Sequence, residues 1–362
     1  MIYLAWIVII FTGIQLLVAL VNLVFKQTLP HSGKVNEPVS VLIPARNEES
    51  RITALLEDLK QQEYKNIEVL VFDDLSTDRT ADIVGQFAQA DQRFGLISSS
   101  GLPEGWLGKN FACHSLSELA KGKYYLFLDA DVRISGNAIA GAIRLAEKRK
   151  LGLLSVFPKQ IMITRGEQFT VPLMNYILLT LLPLVLVRKS GFVSLSAANG
   201  QFMFFSSGIY KKYLPHSRLR SRSVEDIGIA RFLKRNKVRI ACLTGDDAIS
   251  CRMYNSYKEA ITGFSKNVLM FFGGSMIAGS LFWLITSLGF IAVWLAMGTR
   301  ITVLYLFVVL AIRALVSLIS QQPVNNNLLY IIPQQLALGK IILGAFRGKF
   351  RKEYQWKGRS IT

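Results

Sequence analysis

The apolar residues of this chain follow two patterns: unbroken runs near its ends, and short runs between polar turns in the middle. Residues 1–25, MIYLAWIVIIFTGIQLLVALVNLVF, hold no charged side chain. As a helix rising 1.5 Å per residue they would cross a hydrocarbon core of roughly 30 Å. The segment lacks the basic start, short apolar core and small-residue cleavage site of a signal peptide, so it is expected to remain as a transmembrane anchor. Residues 276–298 and 301–320 are two further apolar spans with almost nothing between them, and they predict a hairpin through the membrane. Arg313, inside the second, must snorkel or face protein. Residues 328–346 carry Pro333, Gln334, Gln335 and Lys340 among apolar neighbours and are expected to lie at the membrane interface.

Between these segments the pattern is that of a domain, expected over residues 39–270 and joined to the anchor by a linker, 26–38, with Pro30, Ser32, Gly33 and Pro38. Apolar runs at 39–43 and 67–72 predict strands, and helical spacing at 52–62 and 81–90 predicts helices after each. A constrained loop with Gly101, Pro103, Gly105 and Gly108 then leads into a helix ending near Lys121 and Gly122, followed by a strand at 124–128. Strands alternating with helices predict an α/β fold with a mostly parallel sheet covered by helices. Ligands of such sheets bind beyond the carboxyl ends of the strands. No GxGxxG or GxxxxGK[ST] loop follows the first strand, which argues against a dinucleotide oxidoreductase or a P-loop enzyme. Residues 171–187, apolar but interrupted by Pro172 and Pro183, suit either a buried core helix or an interfacial element that admits a lipid.

Charge orients this arrangement. The formal net charge is +18, and Lys and Arg crowd residues 26–270 and the tail 347–362, with Arg347, Lys349, Arg351, Lys352, Lys357 and Arg359. The positive-inside rule places both on the cytoplasmic side, which requires an odd number of spans: one at the start and two near the end. The excess suits a face lying over anionic lipid, or an anionic substrate such as a nucleotide-sugar. No nucleic-acid-binding motif accompanies it, so nucleic acid is not an expected partner. Cys113, Cys242 and Cys251 are widely spaced and fit reduced, buried thiols. His31, His114 and His216 are isolated from one another, and no zinc site or Ser-His-Asp set can be assembled from them.

The acidic residues carry the chemistry. Asp73 and Asp74 end the second strand, with Ser76, Thr77 and Asp78 after them. The latter three suit turn formation and helix capping, but two adjacent carboxylates at a strand end both need partners. Lys109 and Asn110 at a helix start suit phosphate or base edges, although a lone surface lysine is the commoner case. Asp129 and Asp131 follow the third strand in KYYLFLDADVRIS; on an extended chain, alternate residues face one site. Two oxygen ligands suit a hard cation, Mg2+ or Mn2+, that also bridges to a diphosphate. Helix capping, or a salt bridge with Arg133, is the plainer reading. Glu225 and Asp226 open the helical pattern DIGIARFLKR, where acidic residues also serve as an N-terminal cap.

VSVLIPARNEES, VLVFDDLSTDRT, LPEGWLGKNFACHSL, YLFLDAD and SVEDIGIARFLKR, in this order over about residues 37–270, together resemble a family 2 glycosyltransferase of the GT-A fold. The GWxGK loop, the terminal spans and the final WKGR are similar to a membrane-bound subgroup associated with carotenoid and hopanoid pathways. The resemblance implies that Pro44, Ala45 and Glu48 contact the nucleotide, that Asp74 with Asp73 beside it reads the base, and that Lys109 lies near the nucleotide. It implies a metal at Asp129 and Asp131, with Asp131 the direct ligand, and Asp226 in the Glu225–Asp226 pair as catalytic base. Asn199, Gly200 and Gln201 match the acceptor-binding stretch. The expected donor is a nucleotide-sugar, UDP-hexose first, and the expected acceptor a membrane-dissolved lipid. The QxxRW motif of processive members is absent, which disfavours polysaccharide synthesis; Arg252, Tyr254 and Lys266 occupy the comparable region and are expected to supply its charge and aromatic surface. A polyprenyl-phosphate glycosyltransferase, a synthase of short glycans and an inactive membrane scaffold are the alternatives.

Overall fold

Near-continuous apolar runs form the centre of the molecule because a strand covered on both faces needs apolar side chains on both. The computed structural model describes residues 1–26, 28–30, 35–222, 224–351, 355–356 and 359–360. His31, Ser32 and Gly33 of the linker and Lys352, Lys357 and part of the WKGR stretch lie outside them. The helices are α1 Ile2–Val24, α2 Ile52–Lys60, α3 Thr80–Ala90, α4 Gly108–Leu119, α5 Ala138–Arg149, α6 Arg165–Thr170, α7 Pro172–Leu181, α8 Leu184–Lys189, α9 Ser207–Tyr213, α10 Pro215–Arg218, α11 Glu225–Arg235, α12 Tyr257–Asn267, α13 Met276–Ile319, α14 Val324–Leu329 and α15 Ile331–Arg351. The strands are β1 Val39–Ala45, β2 Ile67–Asp73, β3 Phe94–Ser98, β4 Tyr124–Leu128, β5 Val132–Ile134, β6 Leu153–Phe157, β7 Lys159–Gln160, β8 Phe202–Ser206, β9 Ile240–Thr244 and β10 Ile249–Cys251.

The main sheet has the order β3-β2-β1-β4-β8-β6-β9. All its pairings are parallel except those of β8, which runs antiparallel between β4 and β6. The order reverses between β1 and β4, so the loops after β1, β2 and β4 open into one crevice at the carboxyl ends of these strands. Apolar cores cover both faces, with Val41, Leu126 and Leu128 in one and Leu42, Tyr125 and Phe127 in the other. A small second sheet, β5-β10-β7, pairs Cys251 with Val132 and thereby fixes the back of the loop that carries Asp131.

Residues 129–131 are a turn between β4 and β5 rather than extended chain, closed by Val132 N–H donating to the Asp129 carbonyl at 3.2 Å. The expected alternation of an extended strand therefore does not explain why both carboxylates face one cleft; the turn does. Residues 171–187 resolve into the buried helix α7, a break at Leu182 and Pro183, and α8; Leu173, Tyr176, Ile177 and Leu179 are all buried.

Among the described residues two helices are long and apolar enough to cross a membrane, α1 and α13. Helix α13 is broken at Gly298, whose φ of 78° lies in the left-handed region that only glycine adopts freely. Gly289 and Tyr305, on opposite sides of the break, both lie against Val8 of α1, so the chain folds back there. Arg313 faces protein: it lies over the Tyr176 ring, 3.7 Å from the centroid, and donates to Gln334 Oε1 at 2.9 Å. Helix α15 buries Ala337, Leu338, Ile341 and Ala345 against α12 and α13 and leaves Ile332 and Leu336 exposed.

Candidate active site

The loops after β1 and β2 are knitted together before any ligand is considered. Asn47 N–H donates to Ser76 Oγ at 3.0 Å, and Asn47 Oδ1 accepts from Thr77 N–H at 2.8 Å. Asp78 accepts from Thr80 N–H at 3.0 Å and from Glu49 N–H at 3.1 Å. Desolvation would raise its pKa, but these bonds outweigh it and hold it below the usual carboxylate range. Ser76, Thr77 and Asp78 therefore have the turn role expected of them, whereas the expected capping is not found: α3 has Arg79 at its N-cap and no side-chain cap bond. Asp74 is buried; its N–H donates to the Ala45 carbonyl at 2.9 Å, and Arg46 bonds its carbonyl oxygen. Asp73 accepts from Ser76 N–H through one oxygen, while Oδ1 is buried with no protein donor.

Lys109, in the first turn of α4, joins two carboxylate pairs from distant parts of the chain. Its Nζ lies 2.7 Å from Asp129 Oδ1 and 3.2 Å from Glu225 Oε1. Burial alone would lower its pKa, but Asp129 and then Glu225 more than compensate and keep it above the ordinary lysine value. The other member of each pair is left without a lysine. Asp131 is pushed up to about 7 by desolvation and then by repulsion from Asp129; its nearest side-chain donor amide, Gln201 Nε2, stands at 3.4 Å. Asp226 is also pushed up to about 7, by desolvation and then by Glu225, but it is gripped by two backbone amides, Ile227 N–H at 2.7 Å and Gly200 N–H at 3.1 Å. Gly200 packs closely under this cluster: a Cβ there would lie 2.9 Å from Lys109 Nζ and 3.4 Å from Glu225 Oε1, and Lys109 would have to shift.

Two cavities meet at this lysine. One, of about 680 Å3, is lined by Pro44, Glu48, Arg51, Asp129, Asp131 and residues of α12. The other, of about 260 Å3, is lined by Asn199, Gly200, Glu225, Asp226 and apolar side chains including Val171, Met174, Phe264 and Phe271. Lys109, Asp129, Gln201, Tyr254 and Lys266 line both. Ala45, Asp73 and Asp74 are not among the lining residues of either.

Three sequence expectations change. Arg252 lines neither cavity: its guanidinium pairs with Glu167, Nε at 2.9 Å and Nη2 at 2.8 Å, because fully buried Glu167 needs a cation. Glu167 also caps α6, accepting from Ile163 and Thr164 N–H. Asn110 does not face a ligand either; its Nδ2 donates to the carbonyls of Leu219, Arg220 and Arg222 at 2.9–3.1 Å and so holds the loop that precedes Glu225. Arg133 bonds Asp58 at 2.6 and 2.7 Å, which removes the salt bridge as an explanation for Asp129 and Asp131. Arg51 and Cys251 were not anticipated. Arg51 opens α2 and lines the larger cavity, and Cys251 Sγ accepts from Gln201 Nε2 at 2.8 Å beside Asp131; neither belongs to a recognisable motif.

Residues 40–213 match Glycosyl transferase family 2. The chain carries a family 2 glycosyltransferase domain. The 4,4'-diaponeurosporenoate glycosyltransferase of Staphylococcus haemolyticus is 27% identical over 245 residues, 65% of this chain and 62% of the relative. The beta-monoglucosyldiacylglycerol synthase of Nostoc sp. is 31% identical over 120 residues, 33% of this chain and 25% of the relative. The chain thus spans less than two thirds of the length of either. The mannosyltransferase PcManGT from Pyrobaculum calidifontis, solved in complex with GDP-Man and Mn2+, superposes over 96% of this chain and 99% of its own with a TM-score of 0.57 at 16% identity, a likeness of fold. The expected GT-A architecture, a mostly parallel sheet flanked by helices with apolar helices toward both ends, is the one found.

Within the transferase domain the donor set can be tested against a divalent cation. Asp129 and Asp131 are hard oxygen ligands, and among the described residues no lysine or arginine forms a salt bridge with Asp131, so a cation fits there. Among the described residues no group of three or more His, Cys, Asp or Glu side chains is arranged to hold a metal. Such an ion would need oxygens from substrate and water to complete its shell.

Proposed function

We propose that the protein transfers a sugar from a nucleotide-sugar, UDP-hexose first among the candidates, to a hydroxyl of a membrane-dissolved lipid, with inversion, at the cytoplasmic face. One observation carries this reading: a cavity holding Glu48, Arg51 and Asp131 and another holding Glu225 and Asp226 share the Lys109–Asp129 contact as part of their common lining. A donor diphosphate suits the first and an acceptor hydroxyl the second. Asp129 and Asp131 would hold Mg2+ or Mn2+, which when bound supplies positive charge to the departing nucleoside diphosphate.

The chain's own groups do the rest. Lys109 sits where the leaving group and the acceptor meet, adding a cation to the developing negative charge. Asp226, oriented by the amides of Gly200 and Ile227, accepts the acceptor's proton as its oxygen bonds to the anomeric carbon. The bond from that carbon to the diphosphate oxygen breaks with its electron pair leaving on the nucleotide. Asp226 is the carboxylate placed for a base on the acceptor side, which favours a single displacement. Glu225 is held by Lys109 and tunes its neighbour. The relatives' names bring a carotenoid acid and diacylglycerol as acceptor classes, and the apolar helices α1 and α13 suit an enzyme that meets its acceptor in the bilayer. The excess of Lys and Arg between them supports the cytoplasmic side.

Incubating the purified full-length protein with radiolabelled nucleotide-sugars, Mg2+ or Mn2+ and a membrane lipid extract tests this. Metal-dependent label in the organic phase is expected, and its absence with every donor and metal would contradict the proposal. Lys266, which lines both cavities, favours a second reading in which the acceptor is a polyprenyl phosphate. Its product would be a glycosyl phosphate, released by mild acid where a lipid glycoside is not.

A further inference from the structure

Beside the cavity of Asp226 lies a smaller pocket of about 130 Å3, and the two share Phe157, Ala198, Ile227 and Phe271 in their lining. The inner pocket is lined by Ile177, Leu178, Leu181 and Leu182 at the end of α7 and by Met270 in the 3-10 turn Val268–Phe272, with Ser194, Ser196 and Arg231 as its polar lining. Most of the side chains of this wall are apolar, and hydrocarbon gains by leaving water against them.

The pocket's position says where that hydrocarbon comes from. Asn22, in the last turns of α1, donates to the carbonyls of Leu179 and Leu182 at 3.0 and 2.9 Å and accepts from Leu184 N–H at 2.7 Å. A lining residue is thus bonded to the end of one apolar helix. On the other side, Met270 and Phe271 belong to the turn that runs directly into α13. The pocket therefore lies where both apolar helices join the transferase domain, beside the cavity of Asp226.

We infer that this pocket takes the apolar chain of the acceptor, entering between the ends of α1 and α13 and presenting its hydroxyl to Asp226. The inference rests on the lipid-transferase reading above. Phe157 and Phe271, common to both cavities, form the neck and are specificity-determining: they admit acceptors that are slender next to the hydroxyl and exclude those with a bulky ring system there.

The test uses the full-length protein in phosphatidylcholine nanodiscs, a medium-chain aliphatic alcohol carrying a mid-chain diazirine, and UDP or GDP in the donor site. After irradiation, adducts mapped by mass spectrometry are expected within residues 177–182 and 268–272. Leu181→Trp, which fills the pocket from a half-buried position, is expected to lower their yield roughly tenfold while nucleotide affinity is retained. Should that variant lose nucleotide affinity, competition in the wild type decides instead: unlabelled dodecanol is expected to suppress the same adducts, and failure to do so overturns the inference. Adducts confined to the outward faces of α1 and α13 also overturn it. Labelling needs no sugar transfer, so the two failures are distinguishable. Absent turnover counts against the transferase reading, whereas turnover on lipid extract undiminished in Leu181→Trp counts against the pocket alone.

Discussion

Asp129 and Asp131 on one side of Lys109, and Glu225 and Asp226 on the other, are two carboxylate pairs of the same composition in spirit and opposite construction. In each pair the lysine holds one member, Asp129 or Glu225, and leaves the second raised to about 7. Asp226 is then fixed by two backbone amides, while Asp131 has only the long Gln201 contact and the neighbouring Cys251 thiol. A base must be aimed, which rigid amides accomplish. A ligand for a mobile cation must keep an oxygen available, which sparse bonding accomplishes. On the reading proposed above, the same lysine separates two tasks that similar carboxylates would otherwise share.

Breaking the pairs one member at a time should expose this division, with the largest effect at the base. Asp226→Asn is expected to lower kcat by about 10²–10⁴ with nucleotide affinity unchanged, measured by single-turnover transfer and by calorimetry with UDP or GDP. Equal loss of nucleotide affinity would place Asp226 on the donor side. The wild-type rate is expected to rise as pH passes through about 7, because desolvation and Glu225 raise the Asp226 pKa and the base form dominates only above it. At saturating metal, which keeps Asp131 deprotonated, that limb should vanish in the residual rate of Asp226→Asn. Gly200→Ala is expected to reduce kcat by about tenfold with little change in Tm. The added methyl meets the flexible end of Lys109, which can yield, but only by leaving one of its carboxylates. Arg252→Ala should have the smallest effect on chemistry, leaving the donor KM unchanged, and should lower stability by about 1–3 kcal/mol by stripping buried Glu167 of its cation. A donor KM that rose in Arg252→Ala would return Arg252 to the cleft.

What was legible in the sequence follows the range of the interactions. Strands β1, β2 and β4 announce themselves as apolar runs, and the polar residues at their ends mark the crevice because a parallel sheet leaves its loops there. Lys109 and Asp226 sit in short motifs that keep their spacing. β8, by contrast, reads as an acceptor stretch, ANGQFMFF; an apolar run says nothing about strand direction, and its antiparallel place between β4 and β6 is set by sheet pairing alone. The pairing of Arg252 with Glu167 is not legible in the sequence, because the two lie 85 residues apart, beyond any local pattern. Asn199, Gly200 and Gln201 illustrate a mixed case. They line the cavity of Asp226, while Gly200 N–H also bonds Asp226 and Gln201 also reaches Asp131. A single segment can serve both pairs only because β8 begins between them.

The division of labour across Lys109 is tested most directly by nucleotide-dependent Mn2+ binding, read as loss of the free-ion EPR signal on titrating Mn2+ with the wild type, Asp131→Asn and Asp226→Asn proteins in the presence of UDP or GDP. Wild type and Asp226→Asn are expected to bind the ion alike and Asp131→Asn to lose binding. Retention in Asp131→Asn, or equal loss in Asp226→Asn, would contradict the assignment of the two pairs.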